Sequence, residues 1–538
     1  MRIDPIKLKG QSKLIEDYRM NDQRVMQFFD YHPTNYKTRV TELQQRSFQR
    51  EALVDVLRTM NQRWDAPKQT FETIEQLKDE NSVVVIGGQQ AGLLTGPLYT
   101  INKVISLIQF ARKQQTALNT PVIPLFWIAG EDHDFAEINH IYLPMKNKMT
   151  KFPINQHVQE RLPVSDTDIH TTDAQLWIEQ LFRELPETNH TKDFYETIIN
   201  CLNESQTYVD FFARLIFHLF PDEDLILLDS GDSSLRKIES EYFIRFIEKQ
   251  QDIANSIYEA SQRLRRVGYT VVLDAEVDDA HLFYHQNNER ILLKRLETGE
   301  WEGKQGEVLF TTNELKDIAL NNPELLSNNV ATRPIMQELL FPTLAFIGGH
   351  GEISYWALLK DAFHSFDIKM PLVVPRLSFT YVDRHIEKLL NAYKVTLSEA
   401  INDGVHLDKM NWLASHEDPP IHQMIEAMKA TISSSHQPLR QVAYNIRPDI
   451  GELADKNLYH IQANIDFLER RMRQALNKKY EKPLNDFDML MLHLHPEGGL
   501  QERVWNILPI INKYGQEFIQ QLVDQTCSFN EDHYVVYI

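Results

Sequence analysis

The stretch Val83-Val84-Val85-Ile86-Gly87-Gly88-Gln89-Gln90-Ala91-Gly92-Leu93-Leu94-Thr95-Gly96-Pro97-Leu98-Tyr99-Thr100-Ile101-Asn102-Lys103 decides the fold. A short β-branched run ending in glycines reads as a buried strand, and the residues from Pro97 onward read as a helix. Glycines in the turn let backbone N–H groups approach an anion, and the helix N-terminus favours negative charge. Thr95 or Gly96 is expected to cap the helix, with Pro97 in its first turn. Lys103, about two turns in, is placed to reach back to a phosphate or carboxylate. Gly87 and Gly92 have Walker A spacing, but Leu93-Leu94 replace the required Lys-Ser/Thr, and G-x-G-x-x-G is absent. The turn reads as an anion site of another kind; the bland alternative is a packing turn with no ligand.

Working outward, Val122–Ile128 is a second buried strand ending in Ala129-Gly130, and strand-like runs follow at Leu225–Leu228, Thr270–Leu273, Thr343–Ile347 and Leu372–Val374. Helical stretches such as Pro97–Arg112 and Leu235–Leu264 separate them. Such alternation predicts an α/β fold with a layered parallel sheet. The uneven spacing marks 145–220 and 276–330 as insertions. The first eighty residues read as helices, with Tyr36, Val40, Leu43, Leu53, Leu57, Met60 and Trp64 at roughly helical spacing. After Pro375 the chain turns helical. One stripe runs Val382, Ile386, Leu389, Tyr393, Leu397, Ile401; another runs Ile421, Ile425, Met428, Ile432 until Pro438 interrupts it. Ala454, Leu458, Ile461, Ile465, Leu468, Met472 and Ala475 form a heptad seam with charged flanks, which predicts an antiparallel coiled-coil stalk suited to dimerisation. The expected domains are a core at 1–380, a stalk at 381–482, and a segment at 483–538 that returns to the core and ends in the strand-like Tyr534–Ile538.

The 538 residues exceed one compact core. A formal net charge of −20 disfavours nucleic-acid and anionic-membrane partners. Two distant cysteines, Cys201 and Cys527, fit a reducing cytoplasm and give no zinc-site pattern. The opening residues lack a signal-peptide stretch, and no apolar run is long enough to span a bilayer.

Three further stretches carry chemistry. Phe126-Trp127-Ile128-Ala129-Gly130-Glu131-Asp132-His133-Asp134 delivers ionisable groups at the carboxyl end of a strand, where open α/β sheets bind ligands. Carboxylates there can hold an ammonium or Mg²⁺, and His133 can move a proton near neutral pH. The alternative is a solvated acidic helix start. Phe341-Pro342-Thr343-Leu344-Ala345-Phe346-Ile347-Gly348-Gly349-His350-Gly351-Glu352 repeats the design, with Glu352 and Tyr355 opening a helix. His493-Leu494-His495 lacks a matched third ligand and reads as a loop before a helix; Arg503 nearby can meet an anion.

Gly87–Pro97, Gly130-Glu131-Asp132-His133-Asp134, Gly348-Gly349-His350-Gly351-Glu352 and Leu500-Gln501-Glu502-Arg503 resemble the signatures of the BshC family, cysteine ligases of bacillithiol synthesis. The likeness spans essentially the whole chain. It implies a Rossmann-like parallel-sheet core with connecting-peptide insertions, an α-helical coiled-coil domain and a homodimer. It also implies a reaction, joining the cysteine carboxyl to the amine of glucosaminyl-malate. A carboxylate needs activation before an amine attacks it, so ATP/ADP is the expected nucleotide, with Mg²⁺ as a possible companion and zinc not expected. No His-x-Gly-His follows the first strand; Gly96-Pro97-Leu98-Tyr99 stands there. Candidate catalytic residues are Lys103, Asp132, His133 and Asp134. Candidate substrate contacts are Gln89, Gln90, Thr95, Glu131, His350, Glu352 and Tyr355. Candidate nucleotide contacts are Gly87, Gly88, Gly92, Gly96 and Arg503, with Arg376, Arg384, His385 and Asn506 as a second group where stalk meets core. Two rival readings are a metal-dependent hydrolase built on Asp132, His133 and Asp134, and a non-catalytic scaffold for a thiol-synthesis complex.

Overall fold

Continuous apolar runs form strands here because both faces of the sheet are covered. In the computed structural model, which describes residues 1–156, 158, 162–273, 275–287, 289–416 and 420–538, five such runs become β1 (Val83–Gln89), β2 (Val122–Ile128), β3 (Ile226–Asp229), β4 (Thr343–Gly348) and β5 (Leu372–Pro375). They form one sheet in the order β5-β4-β1-β2-β3, and every neighbouring pair is parallel. β1 and β2 run in register from Val83↔Val122 to Gln89↔Ile128. All seven residues of β2 are buried, each apolar side chain contributing roughly 1.5–3 kcal/mol.

The chain passes from β1 through α1 (Tyr99–Leu118) to β2, goes on to β3, and then returns to the far side of β1 as β4. The winding direction therefore reverses between β1 and β4, and a crevice opens there at the strands' carboxyl ends. Helix α2 (Ser233–Arg266) follows β3; Asp232 caps it by accepting from Ser234 N at 2.8 Å, and Arg263, Arg265 and Arg266 suit the negative end of its dipole. The sheet bears out the α/β expectation.

Thr270–Leu273 is not a strand. Val272 is 55% exposed, and the neighbouring Tyr269 is buried instead, donating its hydroxyl to Asp17 at 2.8 Å. Without a partner edge, β-branched residues alone do not make a strand. A strand absent from the sequence reading, Arg2–Ile6, pairs antiparallel with His533–Tyr537. Residues 276–330 hold an antiparallel five-stranded sheet in the order Leu309–Phe310, Trp301–Gly303, Glu289–Arg295, Asp279–Gln286, Leu326–Asn328. Residues 145–220 hold three longer helices, Thr171–Glu184, Thr191–Asn203 and Tyr208–Leu219.

The chain divides into two units, 1–145 with 150–381 and 501–538, and 146–149 with 382–500. The helix Glu481–Leu494 thus belongs to the second unit, and the chain re-enters the first at Gln501. The second unit is helical. Its two long members, α3 (Ile421–Ile446) and α4 (Pro448–Lys479), pair antiparallel: Lys429 meets Asp466 at 2.5 Å, Ser433 meets Gln462 at 2.9 Å, and Arg440 meets Asp455 at 3.2 Å. Ile421, Ile425 and Ile465 form a small core between them. Leu458 and Ile465 of the heptad seam are buried, while Leu468 and Met472 remain exposed. Pro438 does not interrupt α3. It and Ser434, whose carbonyl loses its donor, are both exposed, so water satisfies the freed carbonyl.

Candidate active site

A cavity of about 390 Å³ opens at the β1/β4 crevice. Its walls come from the ends of four strands and from the segments beside them. β1 supplies Gly88 and Gln89, with Gln90 beyond; β2 supplies Trp127, with Ala129 and Asp132 beyond; β4 supplies Phe346, and α5 (His350–Trp356) after it His350, Glu352 and Tyr355; Arg376 follows β5. The helix Thr332–Leu340 adds Arg333 and Gln337, and the re-entrant segment adds Arg503. Three glycine-bearing strand ends thus converge on one cavity.

The glycine-rich turn is built differently from its expected form. Neither Thr95 nor Gly96 caps α1; Leu98 does, without a side-chain bond, and its N–H donates to Trp505 O at 2.8 Å. Leu94, Thr95 and Gly96 take φ of +46°, +72° and +67° in succession. Asn506 holds this strained corner, donating from Nδ2 to Leu94 O at 2.9 Å and Gly96 O at 2.6 Å. A Cβ on Gly92 would lie 2.9 Å from Gly96 Cα, so Gly92 serves close packing of the turn. A Cβ on Gly87 would lie 3.0 Å from Ile347 O across the sheet. Of these four glycines, Gly88 faces the cavity. Thr95 is buried behind it, its hydroxyl without a hydrogen-bond partner among the described residues.

Lys103 is almost wholly buried. Its ammonium donates to Gly88 O at 2.5 Å and Glu352 Oε2 at 2.7 Å, and Glu352 also accepts from Gly349 N at 2.7 Å. Burial pushes the Lys103 ammonium below its ordinary value, against the pull of Glu352. Lys103 therefore ties the end of β1 to the start of α5. His350 is pushed down to about 4 by burial and then by the charges of Arg19 and Arg376, so it stands neutral. Burial raises the Tyr355 hydroxyl.

The acidic stretch after β2 separates into parts. Glu131 is buried, accepting from Arg236 at 2.5 Å and Arg333 at 2.7 Å. Burial pushes its carboxyl up, but Arg333, Arg236 and Arg290 outweigh that and hold it at about 2. Asp132 lines the cavity and accepts from Arg333 at 2.7 Å and Arg290 at 3.0 Å. His133 lies edge-on to Phe283 and Asp134 is exposed; neither lines the cavity. Arg384 and His385 open the helix Arg384–Tyr393 of the second unit and line no part of it. Asn506 lines a neighbouring cavity instead.

The family model for the N-terminal Rossmann-like domain of bacillithiol-biosynthesis BshC matches residues 1–377, and that for its C-terminal coiled-coil domain matches 379–538. The chain belongs to the BshC family. Relatives named "Putative cysteine ligase BshC" include those of Oceanobacillus iheyensis, 42% identical with both chains fully covered, and Bacillus cytotoxicus, 41% identical over 97% of each. That of Geobacillus sp. is 40% identical over the full length of both.

In this member of the family, the residues that sequence reasoning passed over are those that fix the cavity's charges. Arg333 bridges Glu131 and Asp132. Glu502 grips Arg376 through both oxygens, at 2.6 and 2.8 Å, and accepts from Asn102 at 2.7 Å. Gln501 bonds both N–H and C=O of Tyr381, at 2.8 and 3.0 Å. Tyr99 and Trp127 line the cavity from within the quoted stretches, and Glu137 lies just beyond one of them. Glu502 also lay within a quoted motif, where only its neighbour Arg503 was singled out. Arg333 sits on a helix with no pattern to distinguish it. No group of three or more His, Cys, Asp or Glu side chains gathers for a metal among the described residues.

Proposed function

We propose that this chain ligates cysteine to the amine of glucosaminyl-malate, with nucleotide-dependent activation of the cysteine carboxyl in the crevice between β1 and β4. The observation that carries the reading is the cavity's charge arrangement: Lys103, Arg333, Arg376 and Arg503 face Asp132, Glu137 and Glu352 around one space. A zwitterionic amino acid beside a polyanion needs both signs fixed in place, and preorganised charges stabilise a reacting carboxyl without reorganising. Lys103, Arg333 and Arg376 are each held by a carboxylate. Arg503 is exposed and makes none of those pairs, which suits it to turn toward a phosphate. The family match and the relatives' names support the same reaction.

ATP, when bound, supplies the group that makes the carboxyl oxygen a leaving group. The chain's own part is positional. Asp132 receives the cysteine ammonium, Arg376 and the Gly88 end of β1 face the carboxyl, and neutral His350 is able to accept a proton. The metal-dependent hydrolase reading is weaker, because both Glu131 oxygens and one of the two on Asp132 already accept from Arg236, Arg290 and Arg333. Mg²⁺ would arrive with the nucleotide. We place the protein in the cytoplasm; no helix among the described residues is long and apolar enough to cross a membrane.

We also propose a homodimer through the coiled coil. Leu439, Val442 and Ile446 on α3, and Leu453, Phe467 and Leu468 on α4, are each more than half exposed, a liability that a second copy would cover. Light scattering should give twice the chain mass. The ligation is tested by incubating pure protein with ATP, Mg²⁺, cysteine and glucosaminyl-malate and detecting the alkylated thiol product by mass spectrometry. Product that depends on every component is expected; folded protein that makes none with any nucleoside triphosphate would overturn the reading.

A further inference from the structure

A second cavity, of about 300 Å³, adjoins the first and shares Gln90, Tyr99, Glu137 and Arg503 with it. It continues past Pro97 to the strand His140–Met145, where His140, Ile141 and Tyr142 form the far wall. Its chemistry differs from that of its neighbour. The first cavity has Lys103, Arg333 and Arg376 as well as Arg503, whereas Arg503 is the cationic side chain among the second's described lining, and Glu137 offsets it. A polyphosphate gains nothing from such balance. What remains is a pair of tyrosine rings and a proline ring interleaved with two amides, a carboxylate and an imidazole. Flat apolar faces beside planar polar groups suit a hydroxylated ring, which shows C–H faces and O–H edges together. His140 Nδ1 lies 3.1 Å from Asn139 Oδ1, and the ring also bonds the backbone at Ala136, so the imidazole is fixed at this wall. Burial holds this imidazole below its ordinary value, in keeping with the neutral form.

We infer that this second cavity is the acceptor compartment, binding an amine-bearing sugar ring between Tyr99 and Tyr142 with its ammonium directed to Glu137 at the wall shared with the first cavity. The inference rests on the ligation reading and refines it: the two reactants enter separate rooms, the ammonium gives a proton to Glu137, and the freed amine attacks the acyl carbon where Glu137, Gln90 and Tyr99 are common to both, expelling the nucleotide-activated carboxyl oxygen. Glu137 thereby becomes the residue that distinguishes an amine from a hydroxyl at the reacting position, a role no sequence motif assigned it. It is exposed, so its substitution leaves the core untouched.

The test is direct binding, by calorimetry or saturation-transfer NMR, of methyl glucosaminide and of methyl glucoside, which carries a hydroxyl in place of the amine. The wild-type protein should bind the amine at least ~10-fold more tightly, as a charge-assisted hydrogen bond implies. Glu137→Gln should erase that preference while keeping the ring's binding, and Tyr142→Ala should weaken both ligands by about 10-fold. No saturable binding to the wild type, a preference that survives Glu137→Gln, or displacement of the glucosaminide by ADP would each overturn the inference. The outcome is separable from ligation. Glucosaminide binding with no ligation would sink the reaction alone, and ligation without Glu137-dependent binding would sink the compartment alone.

Discussion

Glu502 sits in the interior with both carboxylate oxygens on the Arg376 guanidinium, and burial, which would raise its carboxyl, is outweighed by that arginine so that it stays at about 2. Its reach to Asn102 also braces the turn of α1 that carries Lys103. Removing one partner of a buried pair strands the other charge, at a cost of about 3–5 kcal/mol. Glu502→Gln keeps the shape and removes the charge. It should lower urea-unfolding stability by an amount in that range and raise the KM for the anionic substrate more than it lowers kcat; unchanged KM would show that Arg376 does not face that substrate. Arg376 was a candidate and Glu502 lay in a quoted motif, but their pairing was illegible in the sequence because they lie 126 positions apart. Asp132 was legible, since a carboxylate at the end of a buried strand has a known place, but the arginines that claim it were not.

Among the elements, β1 and α1 were read from the quoted stretch, while the corner between them was not. β-branched runs and helical spacing are local signals, whereas the corner's shape depends on Asn506, more than 400 positions away. Gly96 has φ +67° and ψ −151°, a region open essentially to glycine alone. Gly96→Ala should therefore cost about 1–3 kcal/mol and speed amide exchange across the turn around it, read by hydrogen-exchange mass spectrometry. Protection equal to wild type would mean that the corner is held some other way. The long helices show the opposite limit. Pro438 suggested a break from its own chemistry, yet an exposed carbonyl made the break unnecessary. Thr270–Leu273 had a strand's composition and no edge to pair with, just as Arg2–Ile6 waited for the distant His533–Tyr537.

Across the molecule, acid stability couples the termini to the site. His533 is fully enclosed between Ser378 and Thr380, 2.7 Å from each hydroxyl, and burial pushes it down to about 4 from an ordinary value of 6.5. Its folded value is the lower one, so the stability it confers is present above pH 6.5 and is lost as pH falls toward 4. Asp229 works the other way over part of that range. Burial raises it to about 6, so its contribution is lost as pH rises through 6. The difference between wild type and His533→Gln isolates the histidine: wild type should lose roughly 2 kcal/mol more than the variant between pH 6.5 and 5. Equal slopes would mean that His533 is charged in the fold. The layered sheet was legible from periodicity alone; which groups the crevice gathers depended on the order of the strands. The most direct measurement of the central claim follows ¹⁸O from the labelled carboxyl of cysteine during turnover. Activation in the crevice predicts one labelled oxygen in the released AMP or phosphate for each amide formed, and label absent from both nucleotide products while amide accumulates would contradict it.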